Sequence, residues 1–178
     1  GRGSGLTPAA VPARPGPAPG RSGTPPRAPG SGFLYNRTVP PGMPVQHDDE
    51  LREILELDTI AVVGCSATPG KAAHSIPKFM RKRGYEIVPI NPYADEIFGV
   101  EPYDSVSDVE GTIDIVDVFR PSEEVSEIAD EAIDRDDVEV VWTQLGITDP
   151  EAGERIEAAG KRYVEDRCLK VEYQRLMG

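Results

Sequence analysis

Two rhythms of hydrophobic spacing alternate from residue 48 to the C-terminus, and together they predict the elements of the fold. Residues 48–57 place Leu51, Ile54 and Leu55 at helical intervals, which predicts a short amphipathic helix. Residues 59–64 (TIAVVG) form a continuous apolar run of strand formers, as a parallel strand buried on both faces requires. A helix is predicted over 75–83, with Pro77 tolerated in its first turn and Gly84 as its terminator. Residues 86–90 give a second strand that runs into Asn91-Pro92, and 113–119 a third. A helix over 122–134 is expected to be capped by Ser122, with Glu123 and Glu124 at its positive end. Its Val125, Ile128, Ala129, Ala132 and Ile133 are at core spacing. Residues 138–143 make a fourth strand; Asp149-Pro150-Glu151 then opens a helix with a cap, a first-turn proline and an acid. A short fifth strand at 162–165 and a last helix from about Leu169 complete the pattern.

Such alternation implies an α/β, Rossmann-like three-layer sandwich, with a parallel sheet of about five strands and helices on both faces. Ligands of such sheets bind at the carboxyl ends of the strands, beside the topological switch point. Residues 1–42 break the rhythm. They hold ten of the 18 prolines and nine of the 18 glycines, with little apolar content beyond Phe33, Leu34 and Tyr35. Burial there is too small to offset the entropy of ordering, so residues 1–44 are expected to be a disordered Pro/Gly/Arg-rich extension and 45–178 the domain. Met43 marks the change and is the expected start of the functional chain; an arginine-bearing tail with its own partner is the alternative.

Charge sharpens the division. Residues 1–42 carry five arginines and no acid, which leaves 14 basic and all 31 acidic residues to the remainder, a formal −17. That surface repels phosphate backbones and anionic headgroups, which excludes nucleic acid and membrane as partners. No run approaches the roughly 18 apolar residues of a membrane span, and the expectation is a cytoplasmic protein. An acid-rich, lysine-poor surface also fits a high-salt cytoplasm, where screening relieves self-repulsion. Cys65 and Cys168 are too few for a disulfide framework or a cysteine metal site, so no metal is expected.

The chemistry that remains is anion binding. The first strand ends in Gly64-Cys65-Ser66-Ala67-Thr68-Pro69-Gly70-Lys71. Gly64 lets the chain turn sharply, Ser66 and Thr68 offer hydroxyls, the following helix aims its N–H groups outward, and Lys71 adds a mobile cation. A pyrophosphate fits this cradle; a plain glycine turn is the bland alternative. It is neither a Walker A loop nor a G-x-G-x-x-G, since Ser66 stands at the second glycine. Dinucleotide folds carry an acid after the second strand for the ribose diol, but here Asn91-Pro92 follows, which better suits a 3′-phosphorylated ribose. Three later strand ends are polar: Phe119-Arg120-Pro121, Trp142-Thr143-Gln144-Leu145-Gly146 and Asp166-Arg167-Cys168. Arg120 either faces a ligand or pairs with an acid. Gln144 and Gly146 form a shelf for an amide-bearing arm or a tight turn, and Trp142 is expected in the core.

The runs VVGCSATPGKAAHSIPKFMRKRGYEIVPINPYADEIFGVEPYDSV, DIVDVFRPSEEV, VWTQLGI and EDRCLKVEYQRL together resemble the small stand-alone CoA-binding proteins. Their domain is similar to the N-terminal CoA-binding domain of the succinyl-CoA synthetase alpha subunit. The resemblance implies coenzyme A as ligand, with its diphosphate at Gly64, Cys65, Ser66, Ala67, Pro69 and Lys71. It further implies the adenosine at Asn91 and Pro92, and the pantetheine arm toward Phe119, Arg120, Gln144 and Gly146. Synthetases use a phosphorylated histidine in a second domain, to which nothing in 45–178 corresponds. His47 lies in the expected linker, and His74 beside the loop is expected to cap, pack or touch phosphate. Cys65, at a helix start near a lysine, either fills a tight loop or acts as a thiolate.

Non-catalytic binding of coenzyme A or an acyl-CoA is therefore the leading expectation. The alternatives are a detached subunit of an acyl-CoA synthetase acting with a partner, and an NAD(P)-binding regulator or reductase. A homodimer is also compatible with the sequence.

Overall fold

A computed structural model describes residues 44–178; the expected disordered extension, residues 1–44, falls outside it except for Pro44. Five parallel strands, β1 (Thr59–Val63), β2 (Glu86–Ile90), β3 (Ile115–Val118), β4 (Val140–Thr143) and β5 (Arg162–Val164), form one sheet in the order β2-β1-β3-β4-β5. The helices are α1 (Asp48–Leu55), α2 (Ala72–Lys82), α3 (Val125–Ile133), α4 (Pro150–Ala158) and α5 (Leu169–Leu176).

Alternation along the strands sorts the core into two halves, because successive side chains leave a strand on opposite faces. Ile60, Val62, Ile115, Val140 and Trp142 pack with Leu51, Met80 and Leu169, which puts α1, α2 and α5 on one face. Ala61, Val63, Val116, Val118 and Val141 pack with Val125, Ile128 and Ile156, which puts α3 and α4 on the other. The expected three-layer sandwich is the fold observed. Its switch point lies between β1 and β3, since the chain leaves β1 toward β2 and returns on the far side of β1. That return has no α-helix. It is a 24-residue stretch carrying only a 3-10 turn (Val106–Asp108) and short bridges such as Ile90 to Tyr103.

Two helix starts differ from expectation. The helical run after β3 opens as a 3-10 turn, Ser122–Glu124, and Ser122 makes no cap; its Oγ accepts the Thr148 N–H at 3.0 Å instead. By contrast Asp149 caps α4 as expected, accepting the Ala152 N–H at 3.1 Å ahead of Pro150. The larger difference is α2, which begins at Ala72 and so carries Pro77 beyond its first turn. Proline has no N–H to give the carbonyl four residues back. That carbonyl, on Ala73, accepts instead from the Ser66 N–H at 2.9 Å. The proline thus ties the loop after β1 to α2. Pro77→Ala supplies a competing helical donor; with a bond worth about 1 kcal/mol, amide exchange at Ser66 is expected to quicken about five-fold. Unchanged exchange would show that the tie is independent of the proline.

Candidate functional site

The carboxyl edge of the sheet is built around Gly64. Its φ of +86° lies where side chains are strained, and an added Cβ would stand 2.8 Å from Arg120 Cδ and 3.4 Å from the Phe119 carbonyl carbon. Glycine here lets the chain leave β1 while its N–H still bonds the Ile90 carbonyl at 2.9 Å. The loop beyond is pinned at three points. Asn91 Nδ2 donates to the Cys65 carbonyl at 2.9 Å, Ser66 is tied to α2, and Ser66 Oγ accepts the Thr68 N–H at 3.0 Å. Asn91 Oδ1 in turn accepts the Tyr93 and Ala94 N–H groups at 2.7 and 3.1 Å, so one side chain shapes the turn after β2 and joins it to the loop after β1.

This loop delivers the chain to the N-terminus of α2. The amides of Ala67, Gly70, Ala72 and Ala73 have no hydrogen-bond acceptor among the described residues. Of the five α-helices among the described residues, only α2 has no acid in its first turn; α1, α3, α4 and α5 carry Asp48 to Glu50, Glu127, Glu151 and Glu172 there. In so acidic a protein this uncompensated positive helix end faces the sheet's ligand edge, with Lys71 exposed at its cap.

A cleft of about 310 Å³ opens on the other side of Gly64, between the ends of β1 and β2 and the helix α3. It gathers Gly64, Asn91, Pro92 and Arg120 from the expected site, together with Tyr93, Ser105 and Ile128. Arg120, expected toward the pantetheine arm, therefore shares a cleft with the pair expected at the adenosine end. Of the two alternatives for its charge, pairing is what the structure shows. Its Nε and Nη2 donate to Glu124 at 3.0 and 2.8 Å, which raises the guanidinium pKa and lowers that of the carboxyl.

Other expected residues turn inward. Gln144 is buried, its Nε2 donating to Asp117 Oδ1 at 2.6 Å and its Oε1 accepting the Leu169 N–H at 3.3 Å. Its side chain is held by protein groups, and only Leu145 beside it is well exposed. Gly146, with φ +81°, makes the tight turn of the alternative account and donates to Asp166 Oδ1 at 2.7 Å. Phe119 packs into the α2 side of the core. Cys65 is fully buried, and burial together with nearby Asp117 pushes its thiol up to about 12, which suits a small loop filler and not a thiolate. The His74 ring packs on Phe98 at 5.0 Å, and Trp142 is a core residue whose Nε1 donates to the Arg167 carbonyl at 2.9 Å.

Asp117 escaped the sequence. It is fully buried in the centre of the sheet, with Oδ1 bonded to Gln144 and Oδ2 without a partner among the described residues. Burial raises its pKa to about 7, against a lowering by the Gln144 bond. The signal was present: in IVDV, Asp117 falls on the same inward face as Ile115, where an acid is out of pattern. No group of His, Cys, Asp and Glu among the described residues is arranged to hold a metal ion, and no described helix is long and apolar enough to cross a membrane.

A small doubly wound α/β domain, with a glycine turn and a free helix N-terminus at the carboxyl edge of β1, is thus the class of protein defined by fold and site. More particularly, the chain belongs to the CoA binding domain family, which it matches over residues 58–174. It is 40% identical over 125 residues to the uncharacterized protein YneT of Bacillus subtilis, covering 70% of this chain and 92% of that one. It is 39% identical over 84 residues to the ADP-forming acetate–CoA ligase of Methanocaldococcus jannaschii, covering 47% of this chain and only 12% of the ligase. A solved structure of a hypothetical protein from Pyrococcus horikoshii superposes with a TM-score of 0.72 at 34% identity, over 76% of this chain and 97% of that one.

Proposed function

We propose that this domain binds coenzyme A or an acyl-CoA in the cytoplasm without catalysing a reaction itself. The observation that carries the proposal is the N-terminus of α2, the one α-helix start without an acid among the described residues of an acidic chain, presenting the amides of Ala67, Gly70, Ala72 and Ala73 beside Lys71. There the diphosphate is bound, by Gly64, Cys65, Ser66, Ala67, Pro69 and Lys71. The backbone supplies most of the donors, because the Ser66 N–H and Oγ are already engaged. Asn91 and Pro92 flank the adenosine end, and the pantetheine arm continues along Phe119 toward Leu145 and Gly146. Membership of the CoA binding domain family supports coenzyme A over other diphosphates.

Calorimetry of the full chain with coenzyme A, dephospho-CoA, NAD and NADP in concentrated potassium chloride tests this. Coenzyme A is expected to bind and the dinucleotides not; binding of NAD alone would overturn it. Lys71→Ala is expected to weaken coenzyme A by about ten-fold or more, as a hydrogen bond from a charged group is worth about 1.5–3 kcal/mol, with the melting temperature unchanged. An unaltered affinity would remove Lys71 from the site.

The match to an ADP-forming acetate–CoA ligase favours a second reading, in which the domain serves as the detached CoA-binding part of a synthetase and acts with a partner subunit. Co-purification of a protein carrying the remaining ligase domains would support it.

A further inference from the structure

On the basis of the coenzyme A assignment above, we propose that Glu124 is a carboxylate latch on Arg120, standing where the ligand's ribose 3′-phosphate binds, and that this pair sets discrimination between coenzyme A and dephospho-CoA.

The sheet separates two anion positions. Lys71 and α2 belong to the face where Cys65 and Phe119 pack, whereas Val118 points to the α3 face, and Arg120, two residues on, lines the cleft there. Coenzyme A carries two phosphorylated groups. If the diphosphate lies at α2, the 3′-phosphate is the anion left for the adenosine side, next to Asn91 and Pro92.

That cleft is hostile to a phosphate as it stands. Arg120 is the only cation among its lining residues, against Asp104, Glu124, Glu127 and Glu131. Its guanidinium already makes a two-pronged bond to Glu124, at 3.0 and 2.8 Å, with the same fork that grips a phosphate. Glu131 is held elsewhere, accepting the Ser107 N–H at 3.0 Å. Glu124 is therefore the carboxylate that a phosphate must displace.

The pair is built to open. The side chains of Arg120 and Glu124 are 44% and 42% exposed, and an exposed pair four residues apart contributes little stability. The Arg120 stem is located by Gly64, where a Cβ would meet Cδ at 2.8 Å, so only the head has to move.

The test titrates coenzyme A and dephospho-CoA into the unaltered chain, Glu124→Gln, Arg120→Gln and the double variant. Glu124→Gln removes the competitor for the guanidinium and is expected to tighten coenzyme A by about two- to five-fold, the range for no longer having to break one exposed ion pair. Dephospho-CoA should be unaffected. Arg120→Gln should bring the two ligands to similar affinities, and the double variant should show no gain over Arg120→Gln. Tightening of both ligands alike, no tightening of coenzyme A, or a gain that survives without Arg120 each overturns the latch while leaving the coenzyme A site standing. Failure of the unaltered protein to bind either ligand overturns that site, and the latch with it.

Discussion

Asp117→Asn is expected to stabilise the protein above pH 7, by an amount on the order of 2–4 kcal/mol, and to flatten its stability between about pH 4 and pH 7. The folded pKa of Asp117 is raised from 3.8 to about 7 by complete burial. Between those values the folded state keeps a proton that the unfolded state has lost, so stability falls as pH rises, and it levels off once the folded group ionises too. Asparagine keeps an oxygen for Gln144 Nε2 and never ionises, so this slope disappears. Glu157, raised to about 7 by burial and by Glu50, adds a slope of the same sign that persists in the variant. The informative quantity is therefore the difference between the two proteins in denaturant unfolding at each pH. Parallel profiles would mean that Asp117 is relieved by water or by movement and carries no burden.

The position of Asp117 also shows why parts of the site were not legible in the sequence. Strand formers and helical spacing are local signals, and they located all five strands and the five helices to within a few residues. Ligand-edge residues depend instead on which face a strand end presents and on what lies across from it. Gln144 and Arg120 look alike in a linear reading, each polar after an apolar strand. Gln144 shares the face of Asp117 and is drawn into the core by it, whereas Arg120 leaves on the opposite face into a cleft. The acidic wall of that cleft comes from α3 and from the long return between β2 and β3, segments far apart in the chain. The Pro77 bond is a third case. Only the true start of α2 reveals which carbonyl the proline frees, and helix boundaries are the part of a pattern least well defined by composition.

Gly64→Val should have the largest combined effect on fold and ligand. A β-branched residue at φ +86° is an outlier whose strain amounts to about 1–3 kcal/mol. Its Cβ would also press on the Arg120 stem, at 2.8 Å from Cδ and 3.2 Å from Cγ, while meeting the Phe119 carbonyl carbon at an ordinary contact distance of 3.4 Å. The Arg120 stem has to shift, and it does so from a residue next to Phe119, whose N–H bonds the Val63 carbonyl at 2.9 Å in the extension of β3. A loss of about 3 kcal/mol in unfolding free energy is expected in total, with coenzyme A binding reduced beyond detection as the loop turns away from α2. Gly70→Val separates the two causes. Gly70 has a similar φ of +95° but nothing within 4 Å of an added Cβ, so it should show the backbone strain without the collision. Equal losses at the two positions would mean that the contact with Arg120 and Phe119 is immaterial, and that Gly64 is needed for its backbone angle alone.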